Sequence, residues 1–596
     1  MALRVESSRG VATGPGPAPA WARVRRPWGV ADLLAALAWT AAVALVFRDA
    51  ATFHGAFFYF DITEINYPYR DFLAGELRAG RFSRWHPGLY CGFPLYSESQ
   101  AGYLHPLKYV LYPWLPTWEA FNLDTVLSVW LAGLGTYGWL RRHVGPVGAL
   151  CGAAVFGLGG FVWAHLIHTS MLNALVSVPF AVWALECAWE GGRARGLAIG
   201  GLAIACQVFA GHLQDTLLTA SALGLYGLYR AATERGVRRR LAAPATAATL
   251  VGLGVLVAAV QWVPSKELLD RSPRAAGLDW DDQTFGSWSP ELLPTLLVRE
   301  AYGTRARDTD WMDGFYPYHE MNIYMGIVGL GLAFLGASSY RDRWVGFWVL
   351  LAIVGGLLML GRYTAAFDVM PKVPLIGSSR IPVRYHLWVA LAVAALAAVG
   401  ADRLVLPGRV RLRGMLVALG LLLVVSVPIL VSVYTPVWTQ PGRWTGSEHI
   451  RRYNWLAWEL SLATGRTLLV GLLALWVASR ASRTKDAKTR ARWASVLPIL
   501  LIADLYGAHY DDAPTVDPAY WTRPPVTARR IKKDPGVIRV EGTAMSASGE
   551  PGFAWGEVDF LASRDTLAWS LPPVWGLRST IGETPIRPRR YWTYSN

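Results

Sequence analysis

The sequence predicts a mainly α, polytopic membrane protein, and three observations lead there. Of 596 residues, 53% are hydrophobic and 17% charged, with mean hydropathy +0.28. The apolar residues come in long uncharged blocks, the signature of spanning helices, and not in amphipathic stripes. The net charge of +15 is carried by Arg and Lys in short clusters between those blocks. There they mark topology and argue against a nucleic-acid partner.

Taken in order, residues 1–27 are rich in Gly, Pro, Ala and Arg and too poor in apolar residues to fold, so a disordered cytoplasmic tail is expected. Trp28–Phe47 has spanning length and a polar loop follows it directly, which favours a first transmembrane helix over a signal peptide. Further apolar blocks run Phe121–Leu140, Val147–Leu166, Met171–Trp189, Gly196–Ala210, Leu213–Tyr229, Leu241–Val263, Met321–Ala337, Val345–Leu360, Tyr385–Gly400, Gly414–Tyr434, Thr467–Ser479 and Trp493–Leu505. Together they suggest about thirteen spans in a membrane domain over residues 28–509.

Charge then orients the chain. The N-terminus, Arg141/Arg142, Arg193/Arg195, Arg235–Arg240, Arg341/Arg343, Arg403–Arg413 and Arg480–Arg492 fall on one side, which the positive-inside rule makes cytoplasmic. The outer side receives Phe57–Pro116, the His165/His168 and His212/Gln214 turns, and a second large loop over 264–320. The Arg362–Arg384 and Tyr434–Arg466 loops and the C-terminus fall there too.

Phe57–Pro116 is polar, aromatic-rich and about sixty residues long, a length at which a functional loop is expected. Residues 510–596 turn Pro-, Asp- and Gly-rich, with VIRVEG, FAWGEVDFLA and TLAWSLPPVWGL as short β-prone runs. They are expected to form a small β-rich outer domain that leans on the membrane domain. The inner side carries basic turns and no domain that would bind a nucleotide-activated donor. One literal GxGxxG, Gly133, Gly135 and Gly138, lies inside an apolar helix with no preceding strand, where glycines serve close helix approach. Cys151, Cys187 and Cys206 lie in apolar blocks and Cys91 in a loop, which argues against a loop disulfide or a CxxC metal site.

Chemically capable residues collect on the outer side. Asp61 and Glu64, one helical turn apart, either aim two carboxylates at one point or end a helix in headgroup water. Tyr69, Phe72, Leu73 and Leu77 then recur at helical spacing opposite Arg70, Glu76, Arg78 and Arg81, with Gly80 as a stop. That pattern suits a helix lying flat in the interface or packed on the membrane domain. His165, His168 and His212 stand at outer helix ends with Gln214 and Asp215. His-x-x-His spacing can bind metal, but no third ligand is evident; bonds to neighbouring turns, or recognition of a hydroxyl or phosphate, are the other readings. Arg380 and Arg384 flank Ile381–Val383 and can grip a phosphate or anchor to lipid headgroups. Tyr316, His319 and Glu320 are similar candidates.

Several of these stretches together resemble the bacterial YfhO-like membrane proteins, a branch of the GT-C glycosyltransferases. The resemblance rests on Asp61 after the first helix and on Pro68, Gly80, Trp85, Pro87, Gly92, Pro94, Gln100 and Pro106 along the loop. It continues in the His168 turn, Gly211–Gln214, SWSPELLPTLL with Tyr302/Gly303, the Arg-x-Pro-x-Arg of Arg380, Pro382 and Arg384, and the terminal VWGLRSTIGETPIRPRRY. It implies a GT-C-like bundle in the bacterial cytoplasmic membrane, N-terminus inside and C-terminus outside. It further implies transfer of a sugar from a polyprenyl-phosphate donor to an envelope polymer or glycolipid on the outer face, and single displacement with inversion is the expected course. Asp61 is then the base that takes the acceptor proton, and Arg380 and Arg384 hold the departing phosphate. Glu64, Trp85, Gln100, His168, His212, Gln214, His319 and Glu320 are the candidates for binding substrate. The resemblance does not support Glu64 as a second catalytic carboxylate. A divalent metal is left open, since Asp61 and Glu64 can share one; with no DxD or further acidic cluster nearby, none is assigned. Two other classes remain as alternatives: a flippase of lipid-linked saccharides, which calls for mid-membrane charges and paired half-repeats, and a non-catalytic envelope-assembly protein. Charges inside the apolar blocks are scarce, Glu186 being the main exception.

Overall fold

The computed structural model describes residues 28–303, 318–369, 380–439, 447–512, 514–534, 536, 539–544 and 557–586. The expected tail, Tyr316 and the terminal RPRRY lie outside them. Six described helices are long and apolar enough to cross a membrane: Pro146–Ala164, Thr169–Trp189, Val237–Val257, Pro382–Val405, Trp458–Arg483 and Ala487–His509. Shorter apolar helices accompany them, namely Val30–Val46, Ile327–Ala337, Arg343–Met359 and Arg413–Pro428. The chain is a multi-pass membrane protein. Fewer helices meet the criterion than the sequence suggested, and Thr117–Leu140 shows why. It is 24 residues long, but it buries Asn122, Asp124, Thr125 and Ser128 against the protein, so it is not apolar along its length. The Val147–Leu166 block breaks at Gly159, where the Gly160 N–H donates to Tyr324 O at 2.7 Å. The same intrusion shortens Met321–Ala337 to Ile327–Ala337.

Glycines let the helices meet. A Cβ on Gly400 would lie 1.9 Å from Leu332 O, and one on Gly336 2.0 Å from Leu396 O, so helices Ile327–Ala337 and His386–Val405 touch backbone to backbone. Gly400→Leu is expected to cost about 1–3 kcal/mol or more through overpacking. Gly420→Leu, at a position with nothing within 4 Å, is expected to leave thermal melts in detergent unchanged. Gly133 seats Trp39, Gly135 seats Phe180 and Gly138 seats Trp183, so the literal GxGxxG packs helices.

The two ends of the bundle carry different chemistry. At one end Arg142 pairs with Glu190 at 2.7 Å, and Arg141 with Asp32, which also accepts from Tyr137 at 2.6 Å. Glu186 is buried there but partnered, by His143 at 2.8 Å and by Tyr226 and Trp344 at 3.0 Å. At the other end the Phe57–Pro116 loop folds over the helices. Its helix Tyr67–Arg78 is packed rather than laid flat: Tyr67 stacks on Trp521 with ring centroids 3.6 Å apart. Arg70, expected to face outward, is wholly buried and donates to Ala101 O. Beneath it Lys108 and Asp124 form a buried ion pair, with Lys108 also donating to Asn173 Oδ1 at 2.7 Å.

The C-terminal stretch is not β-rich among the described residues. Of FAWGEVDFLA the first four residues lie outside the described ones and the rest opens the helix Glu557–Asp565, while the strand Thr515–Val516 pairs antiparallel with Ala56–Phe57. Among the described residues the β-prone runs form only an isolated bridge, Val540 with Ser579, and Phe560 packs instead on Phe58, Tyr59 and Phe60 of the first loop, burial that overrides local propensity. Trp521 Nε1 donates to Phe57 O at 2.9 Å and Tyr69 OH to Glu583 O at 2.8 Å.

One loop carboxyl gives a pH prediction. Glu98 is 1% exposed and accepts from the Gln100 N–H at 3.2 Å and Thr584 Oγ1 at 2.9 Å. Burial pushes its pKa up to about 7 against those bonds. A carboxyl whose folded pKa is raised stabilises the fold below its unfolded value of 4.5 and loses that contribution as pH climbs to about 7. Glu98→Gln is therefore expected to melt higher than the wild type at pH 8 and level with it at pH 4.

Candidate active site

Asp61 is placed by a local irregularity. Pro68 has no N–H to return to the Glu64 carbonyl, and residues Ile62–Asn66 form a π-helical turn in which the Tyr67 N–H reaches Ile62 O. Asn66 pins that turn: its Nδ2 donates to Asp61 O and Ile167 O, both at 3.0 Å, and its Oδ1 accepts from Thr169 Oγ1 at 3.0 Å. The first loop is thereby fastened to the turn between Ala164 and Thr169, where His165 and His168 stand. Asp61 keeps 31% of its side chain exposed. Even so, burial, helped by the charge of Glu583 and opposed by that of Arg384, raises its pKa to about 7. The carboxylate is thus reachable and yet poorly solvated. Glu64 is driven well above the ordinary range, first by burial and then by the charges of Asp61 and Glu583.

From Asp61 a polar chain runs inward. His168 Nε2 lies 3.4 Å from Asp61 Oδ2, the Nδ1 atoms of His168 and His165 are 3.2 Å apart, and His165 Nε2 is 3.6 Å from Glu320 Oε2. Glu320 Oε1 accepts from Arg384 Nε at 2.9 Å and Nη2 at 2.5 Å. Arg384 Nη1 continues to His212 Nε2 and Gln214 Oε1, each at 3.1 Å, and His212 Nδ1 is 3.1 Å from Asp215. His319 faces His168 with ring centroids 5.1 Å apart. Burial pushes the pKa values of His165 and His168 well below the ordinary histidine range, and neighbouring positive groups add to it. Glu320 is desolvated too, yet Arg384 outweighs burial and holds its pKa near 2.

The structure thus gathers Asp61, Glu64, His168, His212, Gln214, His319, Glu320 and Arg384, all singled out in the sequence, at one end of the bundle. Others stand differently. Arg380 gives its carbonyl to Gln214 Nε2 at 2.6 Å and sets its guanidinium over Phe285 at 6.0 Å. The guanidinium fork of Arg384, expected to grip a phosphate, is taken by Glu320. Trp85 lies over Gly92, and Gln100 lies in a turn that Glu98 caps, the Gln100 backbone N–H donating to the Glu98 carboxylate. Asn66 and Glu583 were missed. Asn66 carried no charge signal, and Glu583 arrives from the far end of the chain. A third metal-capable group, absent in the sequence, is present in space: one donor atom each of His165, His168 and Glu320 lies within 4.8 Å of the others.

No protein-family model matches the chain, and no curated protein does. Among solved structures, ArnT from Cupriavidus metallidurans bound to undecaprenyl phosphate aligns over 92% of this chain and 90% of its own, at 15% identity and TM-score 0.43. The apo state of the same protein aligns over 89% and 84%, at 16% identity and TM-score 0.43. A superposition this loose fixes neither the fold nor the activity of this chain.

Proposed function

We propose that this protein is a GT-C glycosyltransferase of the YfhO-like kind, moving a sugar from a polyprenyl-phosphate donor to an envelope polymer or glycolipid. The observation that carries the reading is the polar cluster itself, in which contacts link Asp61 through His168, His165 and Glu320 to Arg384. A reachable, desolvated carboxylate, Asp61, shares it with a buried guanidinium whose charge acts on it. An acceptor hydroxyl attacks the anomeric carbon and passes its proton to Asp61. The bond from that carbon to the phosphate oxygen breaks, and its electron pair leaves on the polyprenyl phosphate. Arg384 supplies fixed positive field for that charge, and Arg380, at the edge of the cluster, supplies the direct contact. Single displacement inverts the anomeric centre. The first loop also turns Tyr109, Val110 and Trp114 outward, an interfacial set suited to a lipid-borne donor. The cluster is assigned to the outer face of the bacterial cytoplasmic membrane, N-terminus inside and C-terminus outside, because the basic clusters gather at the other end.

The test supplies the purified protein in lipid nanodiscs with a panel of polyprenyl-phosphate sugars and a crude envelope-glycan acceptor. Transfer of sugar, with release of polyprenyl phosphate, is expected. No transfer from any donor would turn the reading toward a flippase or an assembly protein.

A further inference from the structure

We propose that Gln214 is a positioning residue: its side-chain amide clamps the turn Arg380–Arg384 in a strained backbone conformation that directs Arg384 to Glu320. The strain sits at Ile381, which has φ +63° and ψ +71°, in the left-handed region. That region crowds Cβ against the following carbonyl oxygen and is especially unfavourable for a β-branched residue. Pro382 follows, and the residue before a proline is pushed toward extended backbone. Both local preferences oppose the conformation, so it persists only because its surroundings hold it.

Those surroundings are specific. Ile381 is 4% exposed and packs on Gly286, where a Cβ would lie 2.8 Å from Ile381 Cγ2. The Val383 N–H donates to Gly286 O, and the Arg384 N–H closes the turn on Ile381 O, both at 3.1 Å. Gln214 then grips the turn on either side of Ile381. Its Nε2 donates to the Arg380 carbonyl at 2.6 Å, and its Oε1 accepts from Arg384 Nη1 at 3.1 Å. The amide can sit only one way round, because a carbonyl only accepts and a guanidinium only donates. With Ile381 extended, the Arg380 carbonyl and the Arg384 guanidinium would turn apart, and one amide could not reach both.

The clamp has a destination. Arg384 gives Nε and Nη2 to Glu320 and Nη1 also to His212 Nε2, while the Arg380 guanidinium lies over the Phe285 ring. Gln214 thus sorts the two arginines, and it acts on the polar cluster through Arg384. Its consequence for sugar transfer rests on the function proposed above; the clamp itself does not.

The test is suppression. Glycine adopts positive φ without the Cβ penalty, so Ile381→Gly makes the turn acceptable without a clamp. Ile381→Ala discards nearly the same buried side chain but keeps the Cβ, and with it the strain. Hydrogen exchange is followed by mass spectrometry in the peptide that carries the Val383 and Arg384 amides, with the full-length protein in lipid nanodiscs. Gln214→Leu is expected to exchange there at least about tenfold faster than the wild type. Gln214→Leu with Ile381→Gly is expected to return to within about threefold of the wild type; Gln214→Leu with Ile381→Ala is expected to stay fast. Transfer from a polyprenyl-phosphate sugar is expected to rank the proteins in the same order. Unchanged exchange in Gln214→Leu, or equal exchange in the two double variants, would overturn the proposal. So would recovered exchange with transfer still lost in the glycine double variant, since Gln214 would then touch substrate itself. Exchange as expected with no transfer by any protein, the wild type included, would uphold the clamp and remove the glycosyltransferase reading. If Gln214→Leu does not fold, Gln214→Glu takes its place, keeping an acceptor for Arg384 and setting an oxygen against the Arg380 carbonyl.

Discussion

Arg384→Gln is expected to destabilise the protein by roughly 3–5 kcal/mol, because it leaves the carboxylate of Glu320 buried without its partner. Glu320 is 2% exposed and takes two bonds from this one guanidinium. The same change strips His212 and Gln214 of a shared donor and removes the positive field beside Asp61. The double variant Arg384→Gln with Glu320→Gln is expected to recover most of the lost stability, since the stranded charge is gone. It is not expected to recover transfer. Thermal melts in detergent beside transfer rates separate the two effects; a double variant as unstable as the single one would show that the ion pair is not what holds this end of the bundle.

Asp61→Asn is expected to lower transfer by about 10² to 10⁴, the range a lost general base costs. The side chain keeps its size, so the cluster keeps its shape, and the Asn66 bonds to the Asp61 carbonyl are untouched. Losing a poorly solvated carboxylate beside Glu64 and Glu583 should leave the fold at least as stable. A fall in rate without a fall in melting temperature is therefore the signature of chemistry rather than of damage.

Much of this site was legible because it lies where apolar blocks end. His168, His212, Glu320 and Arg384 are far apart in sequence, but the alternation of basic clusters assigns all their turns to one side, and side-by-side helices then bring the turns together. The pairing itself was not legible: nothing in the chain says that Arg384 spends its fork on Glu320 and not on a ligand. Arg70 misled for a related reason. The pattern sets it opposite the apolar positions, yet at i, i+3 and i, i+7 it shares a face with Leu73 and Leu77, and there the Ala101 carbonyl accepts its hydrogen bond. The Lys108 and Asp124 pair was hidden because each residue lies in a different element. The C-terminal stretch failed as strand because propensity is local and its aromatic residues are buried on the first loop, Trp521 against Tyr67 above all.

The decisive measurement is single-turnover sugar transfer by the wild type and Asp61→Asn, each preloaded with the same polyprenyl-phosphate sugar and with donor binding measured separately. Equal donor binding and a rate at least about a hundredfold lower in the variant are expected if Asp61 takes the acceptor proton. Equal rates from equally loaded proteins would contradict that assignment and move the base elsewhere in the cluster.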